Sequence, residues 1–248
     1  MRAPKLTVAL FIFAAIAIRP ASAACSNATL KGAYGYYHGR PGGGSVIKGV
    51  LGQIVADGQG TLTASWTLNV NGAISTGTST GTYSISNNCT GTMTFNTEDL
   101  SPANFSVVFD NGAHAFQMIQ IDSGTTQVGF GLAQGTVTCG LTGKKQSFAT
   151  NLSGILFPSA EVEAIVGGLI LDGKGHISGS ETFSVFGVSS QAPVTGTYTQ
   201  NADCTGTMQI TPAGSATTNF NTVAVNGGKE TLLIETDSNT LITGTAQE

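Results

Sequence analysis

The chain has 248 residues, of which 40% are hydrophobic and 10% charged, with 34 glycines and a formal net charge of −4. An acidic chain this poor in bases is a poor partner for nucleic acid or an anionic membrane. Abundant glycine and threonine with sparse charge suit short strands and tight turns and argue against surface helices.

In chain order, the first expected element is an export signal. Arg2 and Lys5 open it, an apolar run of 13 residues follows from Leu6 to Ile18, and Ala21-Ser22-Ala23 supplies a small-residue cleavage site. The run is too short to span a bilayer. Residues 1–23 are therefore expected to be a signal peptide, which places the mature chain in a secreted or periplasmic compartment. Three of the ten bases go with it, leaving seven against 14 acids in a mature chain of 225 residues. No apolar stretch of membrane-spanning length remains, so no transmembrane segment is expected in the mature chain.

Beyond residue 23, turn signals come at regular intervals: Gly39 to Gly44, Asp57-Gly58, Asn71-Gly72, Asn87-Asn88, Asp99 to Pro102, Asn111-Gly112 and Ser123-Gly124. Asn-Gly and Asp-Gly favour two-residue hairpins, whose central residues need positive φ. These seven turns separate eight apolar-rich runs, near 30–37, 45–56, 60–70, 73–85, 90–96, 103–110, 113–122 and 127–137. Residues 61–70 show the period best, with Leu62, Ala64, Trp66, Leu68 and Val70 on one face and hydroxyl or amide side chains on the other. That alternation is a strand with one wet face.

The plan then repeats. Residues 81–93, GTYSISNNCTGTM, match residues 196–208, GTYTQNADCTGTM, at eight of 13 positions. The same offset of 115 relates Asp57-Gly58 to Asp172-Gly173, Phe105 to Phe220, Asn111-Gly112 to Asn226-Gly227 and Asp122-Ser123 to Asp237-Ser238. The expected organisation is a first module over residues 24–136 and a second over 137–248, abutting without a linker. Eight hairpin-linked strands per module point to two tandem eight-stranded antiparallel β-barrels, an all-β fold in which closure removes exposed sheet edges. Two β-sandwiches are the alternative, since Cys25, Trp66 and Cys89 occur in immunoglobulin order.

Four cysteines in an exported chain favour two disulfides, for which three pairings exist. Cys25 with Cys89 and Cys139 with Cys204, one bridge per module, is the simplest. No close pair of cysteines suggests redox chemistry.

The segments Cys25-Ser-Asn-Ala-Thr-Leu-Lys-Gly-Ala-Tyr-Gly-Tyr, Asp57-Gly-Gln-Gly and Gly81-Thr-Tyr…Cys89-Thr-Gly-Thr resemble those of a group of exported bacterial all-β proteins. The resemblance implies an eight-stranded barrel similar to lipocalins or to the dirigent and allene oxide cyclase barrels. It brings no assigned activity and no catalytic residues.

Candidate chemistry is sparse. Gly77-Thr-Ser79-Thr-Gly81 has the spacing of a nucleophile elbow, but strand-like residues follow it and Val194 stands at the serine position of the second module. His38, His114 and His176 lie too far apart in sequence for metal-ligand spacing. The glycine-rich Gly39–Gly44 loop with Arg40 could cradle an anion but lacks the features of a P-loop. Asp57-Gly58 and Asp172-Gly173 lack the further acids of a calcium loop. No metal, no cofactor and no catalytic residue is therefore assigned.

One position stands out. Glu181 aligns with Trp66 in an inward row with Phe183 and Val185, where an unpaired carboxylate is costly and tends to protonate. Glu181, Phe183, Val185 and Trp66 are the expected ligand-binding residues. The exchanges Phe105, Val107 and Phe109 to Phe220, Thr222 and Ala224 lead one to expect a filled first barrel and a roomier second. Three functions fit this chain: binding of a small apolar or amphiphilic ligand, a structural or adhesive envelope role contacting polysaccharide or protein, and a cyclase- or isomerase-type barrel enzyme.

Overall fold

The computed structural model describes residues 24–39, 46–97, 100–110, 112–136, 139–140 and 143–248, with the backbone alone at 97, 100 and 101. The expected signal peptide, the boundary at 137 and most of the Gly39–Gly44 loop lie outside the described residues.

Strands β1 (Lys31–Gly39), β2 (Lys48–Asp57), β3 (Thr61–Val70), β4 (Ala73–Ile85), β5 (Thr90–Thr97), β6 (Leu100–Phe109), β7 (Ala115–Gln120) and β8 (Val128–Ala133) close into one barrel. Strands β9 (Gln146–Leu156), β10 (Glu161–Leu171), β11 (His176–Val185), β12 (Val188–Gln200), β13 (Thr205–Pro212), β14 (Thr218–Val225), β15 (Glu230–Glu235) and β16 (Thr240–Gln247) close into a second. Every pairing is antiparallel; β1 meets β8 with Tyr34 opposite Ala133, and β9 meets β16 with Leu152 opposite Gly244. The architecture is thus two closed eight-stranded antiparallel barrels and not a pair of sandwiches. β6 starts inside the stretch expected as a turn, because the β5–β6 register slips between Phe95 and Thr97 and lets the pairing run on to Leu100.

The period-2 pattern sets what each barrel encloses. In the first, Tyr34 and Tyr36 of β1, Ile54 of β2, Leu62 and Ala64 of β3, Met93 and Phe95 of β5, and Phe105, Val107 and Phe109 of β6 form one buried cluster. Fully buried side chains such as Phe105, Phe116, Ile54 and Met93 each contribute about 1.5–3 kcal/mol relative to exposure. The hairpin chemistry is as the sequence implies. Asp57 Oδ1 accepts from the backbone N–H of Gln59, Gly60 and Thr61 at 2.7, 3.0 and 3.0 Å. Asp172 repeats this with Lys174 and His176 at 2.7 and 3.0 Å. These carboxylates brace their own turns.

Both disulfides join residues of their own module, Cys25 to Cys89 and Cys139 to Cys204. The first lies at the barrel end where the chain enters. A 3-10 turn over Asn27–Thr29 closes that end with Leu30, which is fully buried, and the Tyr83 hydroxyl donates to the Leu30 carbonyl at 2.8 Å. The opposite end of the barrel, where β1 finishes and β2 begins, is the one that carries a cavity.

The two barrels pack side by side through outer faces that are apolar instead of wet. Leu51 of β2 is buried with Val223 and Val225 of β14, Leu232 and Ile234 of β15 and Leu241 of β16. A side chain at Gly35 would place its Cβ 2.5 Å from Val225, so the β1 backbone must approach that closely. Polar contacts rim the seam: the Asn69 amide donates to the Thr240 carbonyl at 2.6 Å, and the Asn221 amide to Thr67 Oγ1 at 2.8 Å. Among the described residues no helix is long and apolar enough to cross a membrane.

Candidate functional site

The first barrel holds a cavity of about 490 Å³ at its far end, a volume in the range of small-molecule sites. Trp66 and Leu68 of β3, Phe95 of β5, and Ala103 and Phe105 of β6 give it an apolar body. Tyr36 stacks on Phe95 with ring centroids 5.6 Å apart, and the His38 ring meets the edge of Phe105 at 5.0 Å. The polar lining is His38, Lys48, Ser79, Gln120, Asp122, Ser123 and Thr125.

Each polar group has a defined state. Burial takes the His38 imidazole down to about 4, opposed by its hydrogen bond to Gln127 and aided by the charge of Lys48. His38 is therefore neutral at physiological pH, and its Nδ1–H donates to Gln127 Oε1 at 2.9 Å, which leaves Nε2 as the ring's acceptor. Burial lowers the Lys48 ammonium from its ordinary value and raises the Tyr36 phenol. Asp122 is held below the usual carboxylate range by Asn104, whose side-chain and backbone N–H groups donate at 2.7 and 2.8 Å, and by Gln120.

Gln120 uses its amide nitrogen on Asp122 at 2.8 Å, so its Oε1 is free to accept. That oxygen and the Trp66 indole N–H are buried and have no hydrogen-bond partner in the protein. One orphan donor and one orphan acceptor thus belong to two residues, Trp66 and Gln120, that line one apolar cavity. Buried groups of this kind cost about 1–3 kcal/mol each when unsatisfied, and a ligand that supplies both partners removes that cost.

The second barrel has a cavity at the equivalent end, lined by Leu152, Glu163, Ile165, Glu181, Phe183, Ile210 and Phe220, of about 120 Å³. The expected order of sizes is therefore reversed. The bulk lost at Thr222 and Ala224 lies near the other end, where Ala224 packs on the Cys139–Cys204 bridge. At the open end, Ile165 replaces Val50 and Phe183 replaces Leu68, and the space fills.

Among the expected site residues, Glu181 and Phe183 line that second cavity, and Trp66 occupies the corresponding wall of the first barrel. Val185 stands half-buried at the end of β11, opposite Val188, outside the cavity wall. Glu181 is 4% exposed, and burial, followed by the charge of Glu163, pushes it up to about 7. Glu235 is likewise 4% exposed and pushed up to about 7, mainly by burial. Glu163 is raised by burial as well. Sequence reasoning did not single out Glu163, Glu235, Lys48 or Gln120. The repeat offset of 115 carries the signal, since it aligns Lys48 with Glu163 and Gln120 with Glu235.

Ser79 of the elbow-like motif lies in the middle of β4 and faces the first cavity, with neither the turn nor the helix that such a nucleophile needs. Among the described residues no group of His, Cys, Asp and Glu could hold a metal ion. A third hollow, of about 600 Å³, is a groove on the outer face of the first barrel, lined by Thr63, Ser65, Thr76 and Thr78 and reaching Asp203 of the second.

No protein-family model matches the chain, and no curated protein sequence does. Among solved structures, the crystal structure of kievitone hydratase from Nectria haematococca is similar over 92% of each chain, at 8% identity and a TM-score of 0.31. A likeness that low carries no argument about this chain.

Proposed function

We propose that this is an exported binding protein whose first barrel holds a small amphiphilic molecule with an aromatic or otherwise apolar body and an anionic head. The observation that carries the reading is the 490 Å³ cavity with its aromatic lining, to which Trp66 and Gln120 belong, each with one buried polar atom that has no partner in the protein. Rings from Tyr36, Phe95 and Phe105 supply an apolar body for stacking. Lys48, half-buried, supplies a cation whose desolvation an anionic head would offset. Two intramodular disulfides accord with an oxidising, extracytoplasmic setting. Glu181 and Phe183, with Val185 at the rim, belong in this proposal to a second and smaller pocket.

The chain has a single tryptophan, Trp66, which makes its emission a reporter for the first barrel alone. Titration of the oxidised protein with 2-naphthoate should quench or shift that emission saturably at one site per chain. Lys48→Met should weaken the affinity at least about tenfold, the scale of one charge-assisted hydrogen bond. Absence of any saturable change, or equal affinity of the variant, refutes the proposal.

The outer groove favours a second reading. Its rows of threonine and serine hydroxyls suit hydrogen bonding to a polysaccharide, as an envelope or adhesive protein requires. A glycan array with retention that Thr63→Val and Thr78→Val abolish would support it, and retention by both variants would remove it.

A further inference from the structure

The two barrels share a site position but invert its charge. Tyr36, Gly52 and Trp66 form a lateral row across β1, β2 and β3, and the corresponding row across β9, β10 and β11 is Thr150, Gly167 and Glu181. Two aromatic rings have been replaced by a hydroxyl and a carboxylate. At the same time Lys48 becomes Glu163 and Gln120 becomes Glu235. What is an aromatic pocket with one cation, Lys48, and one anion, Asp122, in one barrel is an acidic one in the other.

The acids alone would be unremarkable, but the polar groups around them lack partners. Thr150 Oγ1, Glu181 Oε1 and Glu235 Oε2 are all buried without a hydrogen bond. Thr150 itself is only 4% exposed. The three atoms belong to three strands, and the side chains of Glu181 and Thr150 meet over Gly167, which has no side chain to keep them apart. The point where a Cβ on Gly167 would stand is 2.6 Å from Glu181 Cγ and 3.1 Å from Thr150 Oγ1. The surrounding inward positions are Leu152, Ala192, Ile210, Phe220 and Ile242, none of them ionisable. Asp237, just beyond β15, adds another negative charge near Glu235. No basic side chain faces these carboxylates among the described residues.

The chemistry wanted is therefore a donor with several N–H groups and a positive charge. A metal ion does not fit, because the acids are too dispersed to coordinate one. An alkylammonium offers three donors and no acceptor, together with a short apolar stem for Leu152, Phe183 and Ile210. The cavity of about 120 Å³ sets the length. At the ~30 Å³ that a water claims in the liquid it holds on the order of four heavy atoms.

We propose that the second barrel binds a small primary alkylammonium ion, held by Glu181, beside which Thr150 packs, with Glu163 at the mouth and Glu235 adding negative potential. This site is separate from the one proposed for the first barrel and rests on its own residues. Because the carboxylates of Glu181 and Glu235 sit at about 7 when empty, occupancy by a cation favours their ionised forms. Binding then releases protons near neutrality, and affinity climbs as pH rises through that value.

The test is isothermal titration of the oxidised full-length protein with n-propylammonium chloride above neutral pH, with 1-propanol and potassium chloride as controls. Saturable binding of one propylammonium per chain is expected, with no response to propanol and no competition from potassium. The heat should vary with buffer ionisation enthalpy, which reports the released protons. Glu181→Gln should weaken binding at least about tenfold, and Thr150→Val by a smaller factor, while both variants keep the native far-ultraviolet circular dichroism and a cooperative thermal transition as proof of folding. No saturation in the millimolar range, equal binding of propanol, displacement by potassium, or undiminished affinity in Glu181→Gln each overturns the proposal. Trp66 stays silent toward the amine in every case, so failure here leaves the first-barrel reading untouched, and failure there leaves this one untouched.

Discussion

Replacing Glu181 with glutamine should stabilise the protein, and should do so only when the carboxylate is ionised. Its folded-state value of about 7 stands above the ordinary 4.5 because burial, and then the charge of Glu163, disfavour the anion. Between those two values the folded protein keeps a proton that the unfolded chain has already lost. Stability is therefore greatest in acid, falls as pH rises through that window, and is level above it. At about 1.36 kcal/mol per unit, the shift corresponds to about 3 kcal/mol lost on the alkaline side of the window. Glu181→Gln abolishes the term, so the variant should gain about that amount over the native chain at about pH 8 and nothing from it at about pH 4. A chain of this length moves about 2–4 °C in Tm per kcal/mol, so the expected gain in relative Tm is about 6–12 °C. Calorimetry of both proteins at the two pH values measures it. The fixed cost of burying an amide cancels between the two pH values, since it appears at both. A Tm difference between variant and native protein that is the same at both pH values would refute the reasoning and mean that Glu181 titrates in the folded protein as it does in the unfolded chain.

Three further outcomes follow from other parts of the molecule. Leu232→Ala removes a side chain that is 1% exposed in the seam between the barrels, and should cost about 2–5 kcal/mol in urea unfolding; a change within the noise would mean that the barrels do not pack there. Asp57→Ala deletes the acceptor for three hairpin N–H groups and should lower the Tm at neutral pH. Because hydrogen bonds, that from Thr61 foremost, hold this carboxyl below its usual range, the native advantage should persist above the ordinary carboxylate range and disappear only in strong acid; an advantage that vanishes at mildly acidic pH would contradict the turn assignment. Trp66→Phe keeps the ring and removes the orphan donor, so fluorescent naphthalene-sulfonate probes should bind several-fold more weakly with little change in Tm; unchanged probe affinity would show that the indole N–H has no role.

The fold was largely legible because two independent signals agree. Asp-Gly and Asn-Gly pairs mark the hairpins through their tolerance of positive φ, and the offset of 115 carries the same pattern through both modules. The disulfides follow from that repeat. What was hidden is the second use of strand faces. In β10 the row Val162, Ala164, Val166 reads as an inner face and Glu161, Glu163 as an outer one, yet Val162 is 61% and Val166 53% exposed while Glu163 lines the cavity. Only the match of Glu163 to Lys48 and of Ile165 to Val50 corrects the phase. In β2, β14 and β15 the outer faces carry Leu51, Val223, Leu232 and Ile234, which look redundant until two barrels are seen to press on one another. Cavity size failed for a different reason. Volume depends on where along the barrel each substitution falls, and the shrinkage from Phe109 to Ala224 falls at the disulfide end, away from the open one. Glu181 was legible as a misplaced charge, but its companions were not, since their convergence is a property of closure rather than of any one strand.

The most direct test of the binding-barrel account is the set of intermolecular nuclear Overhauser contacts from bound 2-naphthoate to the protein. The account predicts contacts to the Trp66 indole, the His38 ring and Phe105, with the carboxylate end nearest Lys48. Saturating ligand that touches only threonine methyls of the outer groove, or that shows no contact to Trp66 and Phe105, would contradict it.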